Sequence, residues 1–222
     1  MSALTPVPTK DHARAHRPER SWYAFAARLL PGKTSAGRWV DLGCGAGEML
    51  ELATERGLNG WGLDRVHSSA ILSSAEGRCT LVADMERSLP FADGSLDGAV
   101  LVETIEHIVR AEQLIDEVAR VLRPGGWLVL TTPNVAHLNY RVRALTGHAP
   151  KQEGYHLRFF TRRTLARLVR ERGFRVDGYA SYGRLPLLGR LLGHRAPPFV
   201  VPRAFEGILA KHFVWRLTRA GS

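Results

Sequence analysis

The sequence predicts an α/β fold in which a mostly parallel sheet carries helices on both faces. Two observations support this prediction: apolar segments typical of strands alternate with segments of helical spacing, and a glycine-rich loop joins the first strand to the next helix. The 222 residues, 45% of them hydrophobic, suffice for one well-buried domain. We expect this domain over residues 21–222, after a flexible segment over residues 1–20.

The first part of the chain has a regular β-then-α order. Helical spacing predicts helices over residues 21–32, 49–56, 68–76 and 111–126, the first with a Pro-Gly stop and the last with a Pro-Gly-Gly terminator. Apolar runs predict strands over residues 38–42, 60–64, 79–84, 96–102 and 127–134. Repeated units of this kind require a parallel sheet, because each helix carries the chain back across one face.

The order changes after residue 134. A polar, basic connection leads to a predicted helix over residues 161–174, with Thr161 as its N-cap and Gly173 as its stop. Strands are predicted over residues 175–182 and 212–218, and the last of them is expected to return to the sheet. Residues 135–160 and 183–211 interrupt the regular pattern and are interpreted as segments that cap the sheet.

The positive charge belongs to the second part of the chain. Residues 1–134 contain 14 basic and 17 acidic side chains, a net charge of −3, whereas residues 135–222 contain 17 basic and 4 acidic side chains, a net charge of +13. A surface with this charge can bind nucleic acid, an anionic membrane or an acidic small molecule. The alternative interpretation is a solvent-exposed, arginine-rich face that has no partner.

Cysteine usage and hydropathy exclude several classes of protein. Cys44 and Cys79 are the only cysteines and form no C-x-x-C pair, so neither a disulfide framework nor a cysteine zinc site is expected. The first 20 residues lack an apolar signal core, and no run of 18 apolar residues occurs. These observations predict a cytoplasmic protein.

The stretch "WVDLGCGAGEML" places three alternating glycines, Gly43, Gly45 and Gly47, where the first strand passes into a helix. An acid about 20 residues further on is also part of the dinucleotide-binding motif. This loop, however, reads G-x-G-x-G, and Glu48 would set a negative charge against a pyrophosphate. Asp41 suits a cationic ligand group instead.

Other polar residues follow the remaining strands of the predicted sheet. Asp64 ends the second strand, Asp84 ends the third, residues 103–107 follow the fourth, and residues 132–134 end the fifth. An open α/β sheet binds its ligand at the carboxyl ends of its strands. We therefore expect five loops to meet at one crevice.

The stretches "VDLGCGAGEML", "GLD", "VADMERSLPFADGSLDGAVLVETIEHI" and "EVARVLRPGGWLVLTTPN" resemble the successive motifs of class I S-adenosylmethionine-dependent methyltransferases. The resemblance covers about residues 38 to 182. Within that family, "TTPNVAHLNYRVRALTG" and "HLRFFTRRTLARLVRERGF" resemble the subgroup of ubiquinone-pathway O-methyltransferases and MetW-like proteins. The resemblance implies a Rossmann-like, seven-stranded, mostly parallel sheet and S-adenosyl-L-methionine as cofactor.

The resemblance also implies a set of cofactor-binding residues. Asp41 would receive the ammonium group of the cofactor, Asp64 both ribose hydroxyls, and Asp84 the adenine amino group with Met85 against the ring. The full set is Asp41, Gly43, Cys44, Gly45, Gly47, Asp64, Arg65, Asp84, Met85 and Glu103. An aspartate after a strand can equally be a turn or helix cap.

The methyl acceptor is expected to be a small molecule that is methylated on oxygen or nitrogen. His107 is the candidate catalytic residue, as a general base or as a residue that lines the pocket, with Tyr140, His156 and Arg158 as weaker candidates. The run Glu103–His107 is not a zinc signature, and no metal is expected. Residues 135–160 and 183–211 would lie on the acceptor side.

The leucines of "LPLLGRLLG", with Arg184, Arg190 and Arg195 among them, also suit a lipid-linked methyl acceptor and a peripheral membrane contact. Two other functions stay open at this point. A MetW-like protein would bind the cofactor without transferring a methyl group, and a nucleic-acid methyltransferase would use the basic C-terminal part. No recognition module and no N-P-P-Y-type motif support the latter. The sequence does not set the oligomeric state.

Overall fold

Five parallel strands build the part of the sheet that carries the glycine loop. The computed structural model describes residues 21–33, 37–66, 79–148, 156–183 and 198–221. These strands are β1 Trp39–Leu42, β2 Trp61–Asp64, β3 Thr80–Val82, β4 Leu96–Val102 and β5 Leu122–Pro133. Their spatial order is β3-β2-β1-β4-β5, so the direction of strand addition reverses beside β1. A ligand crevice is expected at the carboxyl ends of β1 and β4.

The other part of the sheet is antiparallel. It contains β6 Phe174–Tyr179, β7 Tyr182–Gly183, β8 Phe199–Val200 and β9 His212–Arg219. Strand β9 lies between β5 on one side and β6 with β7 on the other. His212 pairs with Pro133, so the first residue of β9 lies at the carboxyl end of β5. The predicted return of the last strand to the sheet is confirmed.

The predicted Rossmann-like sheet of mostly parallel strands with helices is confirmed, but it has nine strands among the described residues instead of seven. The predicted strand over residues 175–182 is divided into β6 and β7 at Ser181, whose Oγ accepts a hydrogen bond from Val214 N at 3.1 Å. This side-chain contact replaces a ladder bond and interrupts the strand. The two-residue strand β8 then pairs with β7 and accounts for the ninth strand.

Helices cover both faces of the sheet. They are α1 Ser21–Ala27, α2 Glu48–Thr54, α3 Ala111–Val121, α4 Leu138–Leu145, α5 Arg162–Glu171 and α6 Glu206–Leu209. Phe25 of α1 and Met49 of α2 belong to the buried cluster on one face, and Leu114 of α3 and Leu165 of α5 belong to the cluster on the other. Together these clusters bury the apolar residues of both sheet faces.

The ends of α5 follow the prediction. Thr161 Oγ1 accepts a hydrogen bond from Thr164 N at 3.2 Å in a capping box, and Gly173 has a φ of 75° after the last turn. Helix α3 stops earlier than predicted, at Val121. Pro124 disfavours a helical backbone at the residue before it, and Leu122 already pairs with Leu96.

One helix was missed, and some predictions fall outside the described residues. Helix α4 lies in the connection over residues 135–160, and no residue of α4 is buried, so it has no core-facing stripe by which periodicity could reveal it. Three predicted segments lie outside the described residues: the helix over residues 68–76, the N-terminal 20 residues and the whole of "LPLLGRLLG". Within the described ranges, no helix has the length and apolar character needed to span a membrane.

Candidate functional site

The glycine loop is held over the end of β2 by backbone hydrogen bonds. Gly43 N and Cys44 N donate to Leu63 O at 2.7 and 3.1 Å, and Gly47 N donates to Cys44 O at 2.8 Å. The φ angles of Gly43, Gly45 and Gly47 are 80°, 52° and 91°. Residues with side chains rarely adopt these angles, so the path of the loop depends on its glycines.

Gly43 and Gly45 serve different purposes in this loop. A Cβ atom on Gly43 would lie 2.5 Å from Thr104 Oγ1, so this glycine is needed for packing against the end of β4. A Cβ atom on Gly45 would have only Glu48 Oε2 nearby, at 3.9 Å. The space above Gly45 is therefore open, and a ligand could lie against its backbone there.

Asp64 connects β2 to the glycine loop. Its Oδ2 accepts a hydrogen bond from Gly45 N at 2.9 Å, and its Oδ1 accepts one from Val66 N at 2.8 Å. The residue is 9% exposed, whereas the adjacent Arg65 is exposed. A carboxylate has about four lone-pair sites, so two remain on Asp64 for ligand hydroxyls.

Asp41, at the end of β1, is surrounded by other acids. It is 2% exposed, and burial raises its pKa to about 8, with further contributions from the charges of Glu48 and Asp64. Asp41 receives no hydrogen bond or ion pair from the described residues. A buried carboxylate without a partner favours a ligand that brings positive charge.

This arrangement predicts a pH-dependent affinity for a cationic ligand. A cation beside Asp41 lowers the pKa of this carboxyl, so binding of the cation below about pH 8 releases a proton. Glu48 and Asp64 face the same carboxyl and raise its pKa in the ligand-free protein, which increases the number of protons released. Affinity should rise with pH by up to about tenfold per unit until about pH 8 and then level off. Calorimetry at pH 6, 7 and 8 in buffers of different ionisation enthalpy measures both affinity and proton release. Equal affinities and no proton release would contradict the assignment of Asp41.

Three other residues of the predicted cofactor set have local roles in the structure. Asp84 is exposed, and its Oδ1 accepts a hydrogen bond from Glu86 N at 3.0 Å, as in a turn. Met85 beside it is buried. The Cys44 side chain packs in the core, where burial raises the pKa of its thiol, so only its backbone can face a ligand. Asp84 and Met85 nonetheless follow β3, at the same edge of the sheet as Asp64.

Glu103 lies at the end of β4 with a strained backbone. Its φ of 51° is the only positive value among the described residues other than glycine. Its carboxylate accepts a hydrogen bond from Thr131 Oγ1 at 2.8 Å and lies 3.2 Å from His212 Nε2. Burial would raise the pKa of Glu103, but the charge and hydrogen bond of His212, with smaller contributions from Thr131 and His156, outweigh burial and lower the pKa. Glu103 is therefore held ionised.

His212 was not among the predicted site residues. Its Nδ1 lies 2.8 Å from the hydroxyl oxygen of the buried Tyr182, so its two ring nitrogens join Tyr182 to Glu103. A signal for His212 existed in the sequence. Residues 212–218 were predicted to return to the sheet, and the antiparallel direction seen in the structure places the first residue of that strand at the carboxyl edge.

Glu106, His107 and His156 form a second polar group beside Glu103. Their ligand-capable atoms lie within 4.8 Å of one another, and the rings of His107 and His156 are 4.8 Å apart. Glu106 Oε2 accepts a hydrogen bond from Thr132 Oγ1 at 3.1 Å, whereas its buried Oε1 has no partner among the described residues. Burial, and then the charge of Glu103, raise the pKa of Glu106. Carboxylate and imidazole ligands could hold a divalent cation, so the absence of a metal stays a prediction.

The weaker candidates are placed differently. Arg158 donates a hydrogen bond to Glu112 of α3, so its guanidinium is engaged with that carboxylate. Tyr140 is half-buried on α4, and burial raises the pKa of its hydroxyl. His137, also missed in the sequence, caps α4 by accepting a hydrogen bond from Asn139 N, and burial lowers its pKa to about 4. It is therefore neutral at pH 7.

Comparisons with known proteins agree with this geometry. Residues 13–178 match the model of a family described as "Methyltransferase domain". The chain is 31% identical over 131 residues to the 24-methylenesterol C-methyltransferase 2 of Oryza sativa subsp. japonica, with 55% of this chain and 35% of that protein covered. It is 27% identical over 162 residues to the ubiquinone biosynthesis O-methyltransferase of Chromobacterium violaceum, with 67% and 68% covered.

A solved structure shares the same fold. The S-adenosylmethionine-dependent methyltransferase of Thermotoga maritima superposes with a TM-score of 0.67 at 24% identity, with 90% of this chain and 87% of that chain covered. Among the curated relatives, the chain spans about a third of the sterol enzyme and about two thirds of the ubiquinone enzyme. These two relatives act on carbon and on oxygen, according to their names.

Proposed function

The chain belongs to the S-adenosylmethionine-dependent methyltransferase family, and from this premise we propose that it transfers a methyl group to an oxygen or nitrogen of a small acceptor molecule. S-adenosyl-L-methionine, the cofactor of this family, supplies a methyl group on a cationic sulfonium. The observation that carries the proposal is the open space above Gly45 beside the anchored carboxylate of Asp64, together with the buried carboxylate of Asp41, which has no hydrogen-bond donor among the described residues.

In this proposal the two aspartates bind different parts of the cofactor. Asp64 accepts hydrogen bonds from the ribose hydroxyls while it keeps Gly45 in place, and Asp41 accepts the ammonium group. Asp84, Met85 and Arg65 lie toward the adenine, and Glu103 lies at the methionine side, beyond β4. These residues orient the cofactor and exclude water, which are the main contributions of a protein to displacement at an activated methyl group.

The acceptor side would hold and deprotonate the methyl acceptor. We assign this role to His107, which is exposed beside His156 at the carboxyl end of β4. A histidine suits proton removal near neutral pH. In this assignment His156 orients the His107 ring from the opposite segment, and Arg158 is excluded because its guanidinium is bound to Glu112.

The surroundings of His156 favour an apolar methyl acceptor. Leu157 and Phe159 follow it in sequence and are 55% and 47% exposed, and Leu138 at the start of α4 is 41% exposed. Leu157 N donates to Glu106 O at 2.8 Å, which places this segment directly beside His107. Exposed apolar side chains around a polar group are typical of pockets for ligands with an apolar body.

A labelling experiment tests the proposed function. The protein is incubated with methyl-labelled S-adenosylmethionine and a fractionated extract, and the labelled product is identified by mass spectrometry. We expect the label in an apolar small molecule. His107→Ala should reduce the transfer of label, whereas the control His148→Ala, which removes an exposed imidazole, should leave it unchanged. A parallel reaction with EDTA reports on a metal at Glu106, His107 and His156. Cofactor binding without label in any fraction would contradict methyl transfer.

The proposal also includes contact with an anionic surface. The net charge of +13 over residues 135–222 predicts that the protein sediments with anionic liposomes at low salt and is released at high salt, because salt screens the arginines. Neutral liposomes serve as the control. If the protein stays in the supernatant with both lipids at low salt, the methyl acceptor is not delivered from a membrane.

A further inference from the structure

Glu48 is a buried acid whose charge the proposed roles of Asp41 and Asp64 leave unexplained. It lies in the first turn of α2, directly after the glycine loop, and is 8% exposed. Its Oε2 is the atom nearest to the position of a Cβ on Gly45, at 3.9 Å, so the carboxylate borders the open space. The described residues provide no hydrogen bond or ion pair to its side chain.

Three acids therefore share one small volume. Asp41 from β1, Asp64 from β2 and Glu48 from α2 are all at most 9% exposed. The charges of Glu48 and Asp64 both raise the pKa of Asp41, as expected for carboxylates that lie near it. Asp64 accepts hydrogen bonds from the backbone N–H groups of Gly45 and Val66, whereas Asp41 and Glu48 accept none from the part of the chain that the structure describes. Below about pH 8 a proton relieves Asp41, and an entering cation replaces that proton.

The two states of the cofactor differ in charge. The methyl donor has a positive sulfonium in addition to its ammonium and carboxylate groups, and the demethylated product has a neutral thioether in the same position. A site that recognised only the ammonium, ribose and adenine would bind both equally. One buried negative charge beyond those needed for the ammonium favours the sulfonium, because its attraction is little screened in a water-poor site.

We propose that Glu48 is a specificity-determining residue that makes the site prefer the cationic methyl donor to its neutral product. This inference rests on the proposed function and extends it to product release. The Glu48 charge attracts the sulfonium, which the product lacks, so it stabilises the donor more than the product and weakens competition by the product.

Glu48→Gln tests the proposal, because it removes the charge and keeps the shape. Calorimetry should show donor affinity reduced roughly tenfold, equivalent to about 1.4 kcal/mol, with product affinity changed less than about twofold. Sinefungin, which has an amine in place of the sulfonium, should follow the donor. Glu55→Gln removes an exposed acid at the C-terminal end of the same helix and should leave all three affinities unchanged.

Thermal unfolding gives an independent measurement. Since Glu48 repels Asp41 and Asp64 in the ligand-free protein, Glu48→Gln should raise the melting temperature without ligand and reduce the further increase caused by the methyl donor. Equal weakening of donor and product, or no change in either, would overturn the role of Glu48. Absence of donor binding by the wild-type protein would instead overturn the proposed function, and this inference with it.

Discussion

The Gly45→Val protein is expected to fold and to lose at least about 100-fold in affinity for S-adenosylmethionine, which corresponds to about 2.8 kcal/mol. Two effects contribute. The valine side chain would occupy the open space above the loop, where the nearest protein atom to a Cβ is 3.9 Å away. The φ of 52° also disfavours a β-branched residue by roughly 1–2 kcal/mol, so the loop shifts from its binding conformation.

Gly173→Val is the matched control for this prediction. Gly173 has a φ of 75° at the end of α5, and a Cβ there meets no atom within 4 Å. Both variants should therefore show a similar loss of thermal stability, while only Gly45→Val loses cofactor affinity by calorimetry. If both variants bind the cofactor as the wild type does, the glycine loop is only a tight turn.

Asp64→Ala should weaken the binding of both S-adenosylmethionine and its demethylated product by roughly 2–4 kcal/mol, the worth of two hydrogen bonds to a charged group. The product shares the ribose, so the two losses should be equal, in contrast to the effect of Glu48→Gln. The variant also loses the hydrogen bond from Gly45 N, which adds disorder of the loop to the loss of the ribose contact.

Asp64→Asn separates these two contributions. Its side-chain oxygen can still accept one hydrogen bond from Val66 N or Gly45 N, so loop order is partly kept while the charge on the ribose side is lost. We expect an affinity between those of the wild type and Asp64→Ala in calorimetry. Unchanged affinity in a folded Asp64→Ala protein, or binding of NAD by the wild type, would show that the crevice is assigned to the wrong cofactor.

Local patterns in the sequence were sufficient for the half of the site nearest the glycine loop. The placement of Asp41 and Asp64 follows from two facts that sequence alone provides, a strand ending in an acid and a loop with alternating glycines. In a parallel sheet those strand ends must lie at one edge. The same reasoning predicted most strands of the sheet, since buried parallel strands appear as short apolar runs.

The other half of the site depends on contacts that are distant in sequence. His212 reaches Glu103 only through the register that pairs it with Pro133, and register is not encoded in the spacing of either segment. Glu106 and His156 come together because Leu157 N and Arg158 N donate to Glu106 O, in a segment without periodic pattern. Helix α4 was missed for a related reason, since it buries no side chain.

The central position of β9 has a consequence for how the molecule folds. Residue 127 pairs with residue 218, and β9 also supplies the only partner that β6 has among the described strands. These pairings close long loops, so they form late compared with the contacts of the parallel strands, and folding should be slow for a chain of this size. A chain interrupted before His212 would present both β5 and β6 as unpaired edges, which is the geometry that leads to aggregation. The pairing of β9 both completes the sheet and brings His212 next to Glu103. Chains in which β9 has not yet paired therefore lack the Tyr182–His212–Glu103 contacts.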